Sequence, residues 1–177
     1  TVEVTPQHLT LAAPECYEKL GTLAQMNPPI RDARHREALW QGIHNGTVTV
    51  IGTDHAPHTL EEKNRPYPQS PSGMPGVQTL VPIMLNHVAQ KKLKLTKLVE
   101  LICRNPGRLY GYTNKGEIRV GFDADLTIVD TKKEWTIHHT DMATKSGWTP
   151  YDGEKVIGKV THTVVDGNLV MAEGKPV

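Results

Sequence analysis

The sequence predicts an α/β fold, strand–helix–strand–helices followed by an appended β segment, and three observations carry that expectation. Thr47-Val48-Thr49-Val50-Ile51-Gly52-Thr53 is β-branched almost throughout and reads as a buried strand. Ahead of it, Ala38, Leu39 and Ile43 stand at helical spacing, with Asp32 placed as an N-cap and Asn45-Gly46 as a stop. Past Gly111 the texture changes to short apolar runs between turn residues.

Taken in order, Thr1-Val2-Glu3-Val4 alternates polar and apolar like a strand already under way, and no initiator methionine precedes it, so a truncated or cleaved parent is expected. Pro6, Gln7 and His8 end that extended run. An irregular stretch is expected from there to Met26-Asn27-Pro28-Pro29, where the paired prolines forbid helix. After the second strand, Leu60 to Gly76 is rich in Pro, Ser and Gly and reads as a long functional loop. Helices are expected over Val77 to Gln90 and Thr96 to Arg104, the second capped by Thr96 and stopped before Pro106. The β segment should hold strands at Gly116–Gly121, Ala124–Asp130, Lys159–Val165 and Leu169–Ala172, with Asp166-Gly167-Asn168 as a turn.

A chain of 177 residues can bury one good core or two small ones. With 37% hydrophobic residues, 22% charged and a net charge of +1, neither disorder nor a field suited to nucleic-acid phosphates is expected. Cys16 and Cys103 lie far apart without CxxC spacing, which argues against a disulfide scaffold or thiolate zinc site and fits a cytoplasmic setting. No apolar run approaches the ~18 residues that span a bilayer, so no membrane partner is expected.

The sharpest chemical signal is Thr53-Asp54-His55-Ala56-Pro57-His58. Barrel enzymes keep their active sites at the C-terminal ends of parallel strands. A carboxylate at such an end can ligate a divalent metal and accept a proton from water that the metal acidifies. On the residues alone the plainer reading stands beside it: Asp54 caps a turn and the histidines are ordinary loop residues. A catalytic zinc needs about three protein ligands, and no self-contained motif such as HExxH is present.

Thr53-Asp54-His55-Ala56-Pro57-His58-Thr59 with Leu60-Glu61-Glu62-Lys63 resembles the last barrel strand of class I dihydroorotases and their amidohydrolase-superfamily relatives. Further segments agree in order: Val4-Thr5-Pro6-Gln7-His8-Leu9 with the preceding strand, Met26-Asn27-Pro28-Pro29-Ile30-Arg31 with its loop, and Ser72-Gly73-Met74-Pro75-Gly76 with the substrate-side loop. Asn105-Pro106-Gly107-Arg108-Leu109 and Gly121-Phe122-Asp123-Ala124-Asp125-Leu126 resemble the superfamily's C-terminal signatures, and Trp135-Thr136-Ile137 and Trp148-Thr149-Pro150 continue the likeness. One departure is visible: Gln7 stands where the family commonly has the first of two histidines. His8 is not assigned to a metal, and a structural role toward the neighbouring loop is weighed equally with a functional one.

The resemblance implies the C-terminal part of a TIM-type (β/α)8 barrel over residues 1–115, its last two β/α units with the following helices, and part of a small β-sandwich domain over 116–177. It implies that Asp54 is both metal ligand and general acid/base, that Asn27 and His58 hold a substrate carboxylate, and that Ser72 and Gly73 meet the ring through their backbone. The cofactor implied is zinc, one or two ions in the complete enzyme. The family's His-x-His pair, bridging carboxylated lysine or aspartate and later histidines have no counterpart here, so the 177 residues alone are expected to be inactive. The partners implied are a small carboxylated substrate, an N-terminal barrel half, and a homo-oligomer or a transcarbamoylase. The competing readings are an allantoinase or hydantoinase of the same superfamily, or a non-catalytic scaffold partner of a transcarbamoylase.

Overall fold

A computed structural model describes residues 1–177, which pack as two compact units. The first joins Thr1–Leu80 to Thr136–Glu154, and the second joins Val81–Trp135 to Lys155–Val177. Residues 81–115 thus pack with the later sheet, and Thr136–Glu154 packs with the earlier elements.

In the first unit, β1 (Glu3–Val4) and β2 (Val50–Ile51) pair in parallel, Glu3 opposite Val50 and Val4 opposite Ile51. Backbone bonds from Thr49 N to Val2 O and from Gly52 N to Val4 O extend the pairing beyond those four residues. The regular strand is therefore shorter than the β-branched run that announced it. A parallel pair needs a long crossover, and this one carries three helices. α1 (Pro6–Thr10) and α2 (Glu15–Leu20), followed by a 3-10 turn at Gly21–Ala24, occupy a stretch expected to be irregular. Thr5 is the reason for α1: its hydroxyl accepts from His8 N while Pro6 supplies a first-turn φ and needs no donor. α3 (Ala33–His44) forms where expected, with Asp32 Oδ1 accepting from Arg34 N at 3.0 Å and Asn45 closing the C-terminus.

The loop after β2 is not wholly irregular either, since α4 (Leu60–Lys63) follows Thr59 in a capping box. Thr59 Oγ1 accepts from Glu62 N, and Glu62 Oε2 accepts from Thr59 N at 2.9 Å. A core of Cys16, Ala24, Met26, Ile30, Met74 and Trp148 underlies these elements. Trp148 is fully buried, as are Thr149 and Tyr151, so the Trp148-Thr149-Pro150-Tyr151 turn belongs to the interior of this unit.

The second unit begins with α5 (Leu80–Ala89), shorter than expected because Val77 to Thr79 form a turn, and its Leu85 packs against Gly158. α6 (Leu95–Val99) starts one residue before Thr96, which therefore does not cap it. The helix was expected to stop before Pro106 but continues through it. A π-helical turn at Glu100–Arg104, with Asn105 N bonded to Glu100 O, widens the backbone so that Pro106 enters in the first turn of α7 (Asn105–Leu109). β3 (Leu126–Thr136), β4 (Lys155–Val165), β5 (Asn168–Ala172) and β6 (Lys175–Pro176) form a sheet in that order. Asp166 and Gly167, both at positive φ, make the tight β4–β5 turn. Gly116–Gly121 is not a strand: Ile118 and Val120 are fully exposed, and Glu117 is instead held by Arg104 at 2.8 Å. No helix is long and apolar enough to cross a membrane.

Candidate active site

Three residues beyond β2, the chain turns sharply at Asp54, whose φ of 44° is left-handed. Such a conformation is uncommon outside glycine, and aspartate is among the residues that tolerate it. The side chain is exposed and lines a cleft of about 550 Å³ together with Glu3, His8, Asn27 and Arg31. Directly before it, the carbonyl of Thr53 accepts from Nε2 of the fully buried Gln7 at 3.1 Å. Gln7 therefore braces the strand end from which Asp54 departs.

The next residues fasten the loop that follows. His55 forms a parallel bridge with Met74, and its Nδ1 accepts from Gly76 N at 3.0 Å and Val77 N at 3.3 Å. Accepting there leaves the ring proton on Nε2 in the neutral form. Gly73 lies against this bridge at φ 130°, where a Cβ would stand 2.6 Å from Ala56 O and 3.4 Å from His58 Cδ2. Ser72 and Gly73 are thereby brought to His58. Asn27 lies near the same loop. It lines the cleft with Asp54 and also a second one of about 660 Å³ shared with Gln25, Tyr67 and Ser72. Asp54, Asn27, His58, Ser72 and Gly73 all fall within the first unit.

His58 is about one-third exposed, with Nδ1 3.8 Å from Glu62 Oε2. The Thr59 backbone N–H, then its hydroxyl, hold the Glu62 carboxyl below the usual carboxylate range. His8 makes structural contacts: its Nδ1 lies 2.8 Å from Thr5 Oγ1 at the start of its own helix, and its Nε2 lies 2.9 Å from Pro28 O in the Asn27 loop.

Lys63 was not anticipated in any role. It is fully buried, and its amine donates to Gln25 O at 2.9 Å and Pro71 O at 2.8 Å while facing the Trp148 ring at 6.0 Å from the centroid. Burial pushes its pKa down to about 8. The Thr59–Glu62 capping pattern was readable in the sequence, but a lysine at the end of a Leu-Glu-Glu-Lys turn gives no sign that it points inward.

Asp54 suits a metal as one donor of a larger set. Asp54 belongs to no group of three His, Cys or carboxylate side chains within ligating distance of one another, and both ring nitrogens of its neighbour His8 are already hydrogen-bonded. The one group of three carboxylates within ligating distance of one another, Asp123, Asp125 and Asp166, belongs to the second unit, where Lys115 already pairs with Asp123 and Asp125.

The amidohydrolase family profile matches residues 11–170, and the chain belongs to the amidohydrolase family. Its fold is accordingly the expected α/β one, the C-terminal part of a (β/α)8 barrel followed by a sheet domain, and family membership implies a metal ion.

Among curated relatives, the chain is 46% identical to the dihydroorotase of Pyrococcus abyssi over 98% of its length and 42% of the relative's. It is 41% identical to the dihydroorotase of Methanosarcina mazei over 86% of its length and 34% of the relative's. Among solved structures, the L-hydantoinase (dihydropyrimidinase) of Arthrobacter aurescens superposes with a TM-score of 0.94 at 32% identity, covering 99% of this chain and 40% of that one. The chain thus spans between a third and about two-fifths of the length of these relatives.

Proposed function

We propose that this chain is the C-terminal portion of a dihydroorotase, which reversibly hydrolyses the cyclic amide of dihydroorotate to N-carbamoyl-aspartate in pyrimidine biosynthesis. The observation that carries this reading is the likeness to archaeal dihydroorotases over nearly the whole chain, higher than that to the hydantoinase structures sharing the fold. The local geometry supports it: of two groups able to hold a carboxylate, Asn27 shares a cleft with Ser72, and His58 lies beside Gly73. Residues 1–115 are read as barrel and 116–177 as sandwich, with Thr136–Glu154 packed back on the former.

Zinc, as one or two ions, would be held in part by Asp54 and would supply Lewis acidity and a water acidic enough to react at neutral pH. Asp54 contributes one ligand, and the others lie outside these residues, so the 177 residues alone are expected to be inactive. Asp54 takes the proton of the attacking water and delivers it to the departing amide nitrogen, and the reverse transfers accompany ring closure. Asn27 and His58 fix the carboxylate, while backbone groups of Ser72 and Gly73 meet the ring, so binding becomes orientation. The protein partner proposed is a second copy or a transcarbamoylase, to be read from the mass of the purified complex. The unpaired thiols of Cys16 and Cys103 support a cytoplasmic setting.

Steady-state kinetics of the full-length parent test the reading, with dihydroorotate compared against dihydrouracil, the same ring without the carboxylate. Dihydroorotate should be strongly preferred. Asp54→Asn, which keeps the left-handed turn, should lower kcat by several orders of magnitude, whereas His58→Ala should mainly raise KM. A folded Asp54→Asn enzyme with normal turnover would remove the mechanism, and preference for dihydrouracil would remove the substrate.

A further inference from the structure

Burying an ammonium group without a carboxylate partner costs several kcal/mol. Lys63 does this, and the groups it meets are two carbonyl oxygens and an aromatic face. Filling space does not explain it, since a methionine of similar reach would fill the same volume without that desolvation. What a methionine lacks is donors, and the two carbonyls that use them are at informative places.

Gln25 O lies two residues before Asn27, and Pro71 O one residue before Ser72. Gln25 O also accepts from Gly73 N at 2.9 Å, so one carbonyl receives both the amine and the backbone of the substrate-side loop. The Gln25 side chain continues the connection, with Nε2 donating to Ser70 O at 2.9 Å and reaching Ser72 Oγ at 3.4 Å. Ser70 Oγ in turn donates to Lys63 O at 3.0 Å. On its other side the amine faces Trp148, whose indole N–H donates to His58 O at 2.7 Å. The loops bearing Asn27, His58 and Ser72–Gly73 therefore converge on one buried amine.

We propose that Lys63 is a positioning residue, whose amine clamps the Asn27 loop to the Ser72–Gly73 loop and so assembles the substrate-carboxylate pocket before substrate arrives. The proposal rests on the dihydroorotase reading for its substrate, while the clamp itself rests on the hydrogen bonds. Such a group acts through Asn27 and Gly73 and touches no reacting atom. Its loss should therefore appear in KM far more than in kcat, because Asp54 is held independently by β2 and Gln7.

The test uses the metal-loaded full-length parent with Lys63→Met and Gln25→Ala, each also combined with Asn27→Ala. Lys63→Met should raise KM for dihydroorotate at least tenfold with kcat within about threefold. The double variant with Asn27→Ala should show little further rise, since both changes disable one pocket. Amide exchange at Gly73 should accelerate in Lys63→Met whatever the substrate proves to be. Unchanged Gly73 exchange together with unchanged KM in folded Lys63→Met, or strictly additive effects with Asn27→Ala, would overturn the clamp. Should Lys63→Met not fold, Gln25→Ala decides: a KM-selective rise with faster Gly73 exchange supports the clamp, and wild-type values of both refute it. A wild-type parent inert toward dihydroorotate would refute the substrate reading alone, leaving Gly73 exchange to judge the clamp.

Discussion

Trp148 reaches back across ninety residues to donate its indole N–H to the carbonyl oxygen of His58 at 2.7 Å. The ring is fully buried beside Met26, Ile30 and Met74, so the donor cannot be replaced by water without disturbing the core. Trp148→Phe keeps most of the apolar volume and leaves the carbonyl unpaired, which should destabilise by about 1–3 kcal/mol. Urea denaturation of the full-length parent measures this, and KM should rise with it because His58 loses its fixed backbone. A variant as stable as wild type with unchanged KM would show that the bond does not position His58.

His8 provides the contrast between holding a loop and holding a metal. With Nδ1 against Thr5 Oγ1 and Nε2 against Pro28 O, the ring is a brace for the Asn27 loop. His8→Ala in the parent should leave the metal content per subunit unchanged while raising KM several-fold. Elemental analysis after exhaustive dialysis gives the deciding number, and loss of one equivalent of metal would make His8 a ligand instead.

At Gly73 the backbone conformation and the available space both demand glycine. A φ of 130° is strained for any L side chain, and an added Cβ would approach Ala56 O to 2.6 Å. Relief requires shifting the loop away from the His55–Met74 bridge. Gly73→Ala is therefore expected to destabilise by more than ~1 kcal/mol and to raise KM at least tenfold. Differential scanning calorimetry and kinetics on the same preparation check both, and a fully active, equally stable variant would contradict the placement of this loop.

Much of this arrangement was legible before any coordinates. Asp54 follows a strand that the β-branched run from Thr47 announces, although only Val50–Ile51 is regular, and α3 begins just after Asp32 because a side-chain acceptor is available there. Resemblance to a family, not periodicity, brought Asn27, His58, Ser72 and Gly73 together. Their convergence depends on Gln25, Lys63 and Trp148, which are far apart in sequence and meet only through tertiary packing. The passage of a helix through Pro106 was hidden for a related reason, since a π turn leaves no compositional trace. Gly116–Gly121 reads as a strand by residue type yet has no partner strand, which local propensity does not encode.

The buried amine of Lys63 also has a pH signature whose sign can be worked out. Its pKa is about 8 in the folded protein, against an ordinary 10.5, because burial disfavours the charged form. Below pH 8 both folded and unfolded chains carry this proton, and above 10.5 neither does. Between those limits the unfolded chain binds more protons, so the group's contribution to stability rises with pH, by at most about 1.4 kcal/mol per unit. Lys63→Met lacks this linkage while sharing every other titration. The difference in unfolding free energy between wild type and variant should therefore move in favour of wild type from pH 8 to 10.5 and stay level from pH 6 to 7. Urea titrations across that range give the comparison directly. A difference that stays flat to pH 10.5 would mean that the two carbonyls and the Trp148 face compensate fully for the lost hydration, leaving the amine protonated as it would be in water.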